Sequence, residues 1–277
     1  MIEKLNRVAV IGVGNLGKQI SEWTALYNYQ VTIFDINPSK LSKFAKKANK
    51  KVQEKGASGT IYIKETLDEA VKEADLIIEA VPESLELKRT VFSQIDKAAP
   101  PHAIIATNSS SIPVSKLEDA VKRKDKVLNI HFYKLPVFPM ADIARGSKTS
   151  DQTFELGKNW IESIEITPLV LKKECLGFVF NRIWRAIKKE CLKIWAGGHA
   201  DIETVDKAWE IFTESAIPPF KFMDIIGLDV VYDIEMMYYN ESGEESDKPP
   251  LSFVEKVKRG EFGVKTGKGF YDYSNDN

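Results

Sequence analysis

The run Gly12-Val13-Gly14-Asn15-Leu16-Gly17 leaves an apolar stretch and opens an amphipathic one, and Asp35 closes the next apolar stretch. Glycine at the first two positions lets the backbone turn tightly and approach a pyrophosphate, whose charge suits the exposed amides and positive dipole of a helix start. Gly17 allows close packing of helix on strand. A carboxylate about 20 residues further on bonds ribose hydroxyls and repels a 2′-phosphate, so Asp35 favours NAD over NADP. A glycine turn in a ligand-free α/β domain is the competing reading, and the strand, helix and acid around this one argue against it. The second candidate for chemistry is His131, which ends the apolar run 127–130 and precedes Asp142. Ligands dock at the C-terminal edge of strands in open α/β sheets, and an imidazole there exchanges a proton near neutral pH. The other two histidines sit in turn settings: His102 follows Pro100-Pro101 and His199 follows Gly197-Gly198. A hydrogen-bonded structural histidine is the bland alternative for His131.

These residues need elements to position them. Apolar runs predict strands at 8–13, 31–35, 60–63, 76–81, 103–107, 127–132 and 168–171. Helical spacing predicts helices at 17–27, 39–56, 67–72, 84–98, 115–121 and 151–163. Repeated strand-helix-strand order is the pattern of an α/β fold, a Rossmann-type doubly wound, mostly parallel sheet with helices on both faces. After about residue 174 the strands stop. Helical patterns at 177–195 and 202–212, an apolar stretch at 219–239, a short helix at 251–258 and a Gly-rich ending at 263–273 make a smaller all-helical domain, with 243–250 as a surface loop. The expected division is an NAD-binding domain over 1–174 and a helical domain over 175–277.

Composition removes several classes. With 277 residues, about two domains are expected at ~150 residues each. Acidic and basic residues number 40 and 39, so no nucleic-acid footprint stands out. Cys175 and Cys191 form no CxxC, which argues against a disulfide framework or structural zinc site, and no metal is expected. The apolar run after Arg7 is too short for a signal peptide, and no stretch reaches the ~20 apolar residues of a membrane span. The expectation is a soluble protein of the reducing cytoplasm acting on a small molecule. No tyrosine is followed four residues later by lysine, which sets aside the short-chain dehydrogenase chemistry.

Further motifs follow in order: Glu79-Ala80-Val81-Pro82-Glu83 with Lys88, Asn108-Ser109-Ser110-Ser111, His131-Phe132, Gly177-Phe178-Val179-Phe180-Asn181-Arg182, and Gly263-Val264-Lys265-Thr266-Gly267-Lys268-Gly269-Phe270-Tyr271. Together with the glycine run and Asp35, they make the chain resemble the L-3-hydroxyacyl-CoA dehydrogenases over nearly its whole length. The stretch 81–89 is also similar to the branch containing lambda-crystallin (L-gulonate 3-dehydrogenase) and diketoreductase, whose substrates need not carry CoA. The resemblance implies that His131 is the general base for the C3 hydroxyl proton and that Asp142 orients its ring. Ser110 and Asn181 hydrogen-bond the reacting groups. Gly12, Gly14, Asn15, Leu16, Gly17, Asp35, Ala80, Val81, Glu83, Lys88 and Asn108 surround NAD. For Glu83 and Lys88, an exposed helix start with an incidental charge pair is the alternative. The resemblance also implies a homodimer formed through the helical domain, where the apolar stretch 220–239 is either interface or core.

Three departures from the family pattern bear on substrate. Asp142 stands where the family usually has Glu, with one residue fewer after His131; the acid is ~1.5 Å shorter. Lys134 stands where Asn is usual. It either binds a free carboxylate on the substrate, favouring a hydroxy acid over a thioester, or reaches into solvent. The segment between Asp35 and Glu79 is shorter than the family's projecting hairpin, and it is rich in lysine: Lys40, Lys43, Lys46, Lys47, Lys50, Lys51 and Lys55. Those charges either attract CoA phosphates or form a solvated face. The first expectation is therefore NAD-dependent, reversible oxidation of a short L-3-hydroxyacyl-CoA such as 3-hydroxybutyryl-CoA. The alternatives are a dehydrogenase of CoA-free 3-hydroxy or 3-oxo acids, and a non-catalytic NAD-binding structural or sensing protein. The last has no need of Ser110, His131 and Asn181 together. A dehydrogenase lineage with a catalytic lysine on the long interdomain helix is set aside, because that helix offers Asn181.

Overall fold

The computed structural model describes residues 5–274, and the side chain of Lys40 lies outside what is described. The chain divides into two compact units, Met1–Val179 and Phe180–Asn277. The turn 175–179 thus belongs with the first unit.

In the first unit β1 (Arg7–Ile11), α1 (Asn15–Leu26), β2 (Gln30–Phe34), α2 (Leu41–Glu54), β3 (Thr60–Ile63), α3 (Leu67–Val71), β4 (Leu76–Glu79), α4 (Leu85–Ala98) and β5 (Ile104–Thr107) alternate as expected. Then come β6 (Val127–Phe132), β7 (Met140–Arg145), α5 (Asp151–Ser163) and β8 (Thr167–Val170). The sheet order is β3-β2-β1-β4-β5-β6-β7-β8. Every neighbouring pair is parallel except β6 and β7. The order reverses between β1 and β4, which opens the crevice where doubly wound sheets bind nucleotides. Strands buried on both faces need apolar residues at every position. Accordingly Val8 and Val10 enter one core with Ile33 and Ile78, while Ala9 and Ile11 enter a second with Ile77 and Phe92.

Two local expectations change. The segment 115–121 forms two short 3-10 turns, Val114–Lys116 and Glu118–Ala120, in place of a helix. Strand β7 was not expected at all, since Met-Ala-Asp-Ile-Ala-Arg carries a central Asp and two Ala, residues depleted in strands.

The second unit contains α6 (Phe180–Ala196), α7 (Ile202–Thr213), α8 (Pro219–Ile226), α9 (Leu228–Ser242) and α10 (Leu251–Lys258). Gly227 divides the apolar stretch 219–239 into two helices. Phe220, Met223, Leu228 and Val231 from that stretch are buried in this unit's own core with Phe253 and Phe270. Lys188 and Glu235 form a buried ion pair at 2.9 Å. Burial pushes the Lys188 ammonium below its ordinary value, against the pull of Glu235. The Gly-rich ending is a structural clasp: buried Asp224 accepts the Phe270 amide at 2.8 Å, the Tyr271 amide at 2.9 Å and the Tyr273 hydroxyl at 3.0 Å.

No helix among the described residues is long and apolar enough to cross a membrane. Nor do the described residues include a group of three or more His, Cys, Asp or Glu placed to hold a metal ion.

Candidate active site

The glycine turn follows β1. Gly12 has φ +93°, and a Cβ there would lie 2.6 Å from the Ala80 carbonyl, so the β1 and β4 edges approach too closely for any side chain. At Gly17 a Cβ would stand 2.1 Å from the Gly12 carbonyl oxygen, which is the close packing of helix on strand. Gly14 faces open space and caps α1 without a side-chain bond, and α1 has no acidic residue in its first turn. The helix start, with Asn15 exposed and Leu16 half-buried, is thus free to receive an anion. Asp35 accepts the Val13 amide at 2.7 Å through one oxygen and the Asn37 amide at 2.8 Å through the other. It braces the glycine turn and retains lone pairs for a ribose. These features fit a dinucleotide: the turn is open where the pyrophosphate approaches, and the acid stands at the end of β2.

Beyond β4 lies a charged network. Glu79, fully buried, accepts the Lys88 ammonium at 2.8 Å, the Val81 amide at 2.7 Å and the Thr107 hydroxyl at 2.7 Å. Lys88 is 1% exposed, so the alternative of an exposed helix start does not hold for it, whereas Glu83 does stand on the exposed stretch that leads into α4. Lys88 Nζ also reaches the Val81 carbonyl at 3.1 Å and Glu83 at 3.3 Å. Glu83 in turn accepts the Ser109 hydroxyl and, at 2.6 Å, the Ser111 hydroxyl. Burial raises the Glu83 carboxyl, but the two serines and the Lys88 charge outweigh it and hold it below the ordinary carboxylate range. Asn108 accepts the Phe132 amide at 2.9 Å, tying the ends of β5 and β6 together. Ser110, between the two serines on Glu83, is half-buried, and no hydrogen bond holds its hydroxyl among the described residues.

His131 and Asp142 face each other directly across the antiparallel ladder of β6 and β7. Directly opposed side chains on one face of such a pair lie within contact distance. His131 Nδ1 is 3.1 Å from Asp142 Oδ2. The same Oδ2 accepts the Tyr133 hydroxyl at 2.6 Å, and Oδ1 accepts the Val179 amide at 3.4 Å. The Phe178 ring lies parallel to the imidazole, 5.3 Å away, on a residue held at φ +51°. An ionised carboxylate only accepts, so Nδ1 carries the ring proton and Nε2 is left with a lone pair. No described residue hydrogen-bonds Nε2, so the arrangement suits proton transfer at that atom. Lys134 is exposed and in no ion pair among the described residues. Asn181 is the second residue of α6 and belongs to the second unit.

Residue types and motifs left four participants unassigned: Glu79, Tyr133, Phe178 and the Val179 amide. Tyr133 was recoverable, because it stands two residues after a strand histidine and therefore on its face. Phe178 and Val179 come from a loop distant in sequence and gave no such signal.

The sheet order, glycine turn and strand-end acid are those of a Rossmann-type, NAD-binding oxidoreductase. Profiles of the NAD binding domain and of the C-terminal domain of 3-hydroxyacyl-CoA dehydrogenase match residues 7–175 and 177–273. The chain belongs to the 3-hydroxyacyl-CoA dehydrogenase family, oxidoreductases of the CH–OH group. It is 31% identical to a 3-hydroxybutyryl-CoA dehydrogenase of Clostridioides difficile, over 97% of this chain and 99% of that one. Among solved structures, the (S)-3-hydroxybutyryl-CoA dehydrogenase PaaH1 of Ralstonia eutropha superposes with a TM-score of 0.88 at 28% identity, over 98% of this chain and all of the other. A diketoreductase acting on dicarbonyl compounds superposes with a TM-score of 0.87 at 32% identity and the same coverage.

Proposed function

We propose that this chain catalyses the reversible, NAD-dependent oxidation of a short L-3-hydroxyacyl-CoA such as 3-hydroxybutyryl-CoA. The observation that carries it is His131, fixed through Nδ1 on buried Asp142 at 3.1 Å, with Nε2 bonded by no described residue near the C-terminal end of β6. In this reading Nε2 takes the C3 hydroxyl proton, and Asp142 steadies the ring and offsets its positive charge. Bound NAD supplies the hydride acceptor. The turn 12–17, Asp35, Ala80, Val81, Glu83, Lys88 and Asn108 are its proposed holders, with Lys88 acting chiefly by stiffening 79–83. The free Ser110 hydroxyl and, by its place in the motif, Asn181 are the proposed groups that polarise the substrate oxygen.

A second reading, a dehydrogenase of CoA-free 3-hydroxy or 3-oxo acids, is favoured by two observations. Lys134, three residues from His131, is a cation in no ion pair among the described residues, and between β2 and β4 the chain builds only the 3-10 turn Pro38–Lys40, α2, β3 and α3, with no long hairpin. On α2, Lys50 and Lys51 pair with Glu54 and Glu22, while Lys43, Lys46 and Lys47 are in no ion pair among the described residues. Steady-state assays with acetoacetyl-CoA and with free oxo acids at matched concentrations separate the readings. The thioester is expected to be the better substrate, and absence of thioester turnover overturns the first reading.

We also propose a homodimer through the helical unit, which exposes Ile183 (56%), Ile211 (69%), Phe212 (91%) and Ile225 (52%). Sedimentation over a range of concentrations is expected to give the dimer mass; a monomer throughout sinks this. The free Cys175 and Cys191 fit a reducing cytoplasm, and the substrate class fits fatty acid metabolism. Fractionation that finds the protein in an oxidising compartment overturns that placement.

A further inference from the structure

Tyr133 has no part in the proton transfer just described, yet its hydroxyl makes the shortest contact to Asp142. At 2.6 Å it lies within the ~2.5–2.7 Å of an O–H donor on a carboxylate. The imidazole contact, at 3.1 Å, is longer than the ~2.7–2.9 Å of a charge-assisted N–H donor. The phenol therefore grips Oδ2 more firmly than the histidine does. Asp142 is 0% exposed, so solvent does not replace a donor that is lost. Tyr133 is itself held in place: it is 9% exposed, its amide meets the Met140 carbonyl as an extension of the β6–β7 ladder, and its ring stands edge-on to His131 at 4.8 Å.

We propose that Tyr133 is a positioning residue for the dyad, its hydroxyl setting the Oδ2 of Asp142 at the point where His131 Nδ1 finds it. An aspartate is short enough to leave room for that hydroxyl. A glutamate, ~1.5 Å longer, would drive its carboxylate into the phenol oxygen. Tyr133 and Asp142 thus form a matched pair, in which the phenol fills the space a longer acid would take. The inference rests on the reading of His131 as the base, and its test has one arm that needs no activity.

The kinetic arm compares Tyr133→Phe, Asp142→Glu and the double variant. Tyr133→Phe is expected to lower kcat about tenfold with KM for both substrates unchanged, and Asp142→Glu about a hundredfold, since ~1 Å of misplacement costs on that order. In the double variant the glutamate gains the vacated space, so kcat rises above that of Asp142→Glu alone. Losses that simply multiply overturn the proposal. The second arm follows the low-field Nδ1 proton of His131 by NMR, which is tractable because the chain has only three histidines. That signal is expected to broaden in Tyr133→Phe, and an unchanged signal overturns the proposal whether or not Asp142→Glu folds. If the unaltered protein turns over no 3-hydroxyacyl substrate, the function assigned above fails, while the NMR arm still decides the role of Tyr133.

Discussion

Replacing Asp142 with asparagine is expected to lower kcat by about 10³–10⁴-fold while leaving NAD affinity unchanged. Asp142 Oδ2 is shared by two donors, the Tyr133 hydroxyl and His131 Nδ1. The Val179 amide at Oδ1 can only donate, whereas the phenol can also accept, so an amide at 142 turns its one accepting oxygen to Val179 and sets its NH₂ where Oδ2 stood, beside the phenol and the imidazole. Its NH₂ group then faces Nδ1 and donates to it, so the ring proton moves to Nε2. An imidazole in that tautomer has no lone pair at Nε2 to receive the substrate proton. Volume and burial barely change, so the loss reads out tautomer and charge, not packing. Asp142 touches no part of the glycine turn or of Asp35, hence the unaltered cofactor binding. Single-turnover rates together with NAD fluorescence titration check both halves, and near-normal turnover in Asp142→Asn removes this residue from the mechanism.

The second large effect concerns stability. Lys88→Met is expected to cost the first unit about 3–5 kcal/mol, because it leaves Glu79 as a buried charge without its counter-ion. At 0% exposure Glu79 keeps, among the described residues, only the Val81 amide and the Thr107 hydroxyl. For a unit of this size that loss lowers the melting temperature by roughly 6–20 °C. Removing both charges, in Glu79→Gln with Lys88→Met, is expected to recover most of it, since uncharged partners of similar size carry no desolvation penalty. Hydrogen exchange at the amides of β4 and β5 reports on this unit alone. If the single and double variants exchange equally, the pair does not stabilise the fold in the manner described.

Much of the site was legible because its residues announce themselves locally. The glycine turn and Asp35 are read from two short apolar runs and the amphipathic helix between them, and parallel strands buried on both faces give continuous apolar sequence. Strand β7 was not legible. Its Asp142 interrupts the pattern because it points at His131 and not at an apolar core, so the residue that matters for chemistry is the one that hides the strand. The helix expected from 177 begins instead at Phe180, because Gly177 and Phe178 adopt positive φ to lay the phenyl ring on the imidazole. Lys88 looked like an ordinary helix-surface lysine. Only the register that sets Glu79 beside Thr107, beneath α4, makes a buried lysine tenable. Such pairings are between elements, and no window of sequence contains them.

The direct opposition of His131 and Asp142 across β6 and β7 also says something about how this active site tolerates change over generations. The ruler that spaces base from acid is the pairing ladder, not the loop 133–139 that joins the strands. A lineage can therefore trim or extend that loop and reshape the substrate entrance, and as long as the register holds the acid still arrives opposite the base. A slip of the ladder by a single residue would instead turn the carboxylate to the far face of the sheet. Drift in loop length is thus nearly free here, while drift in register is fatal to catalysis.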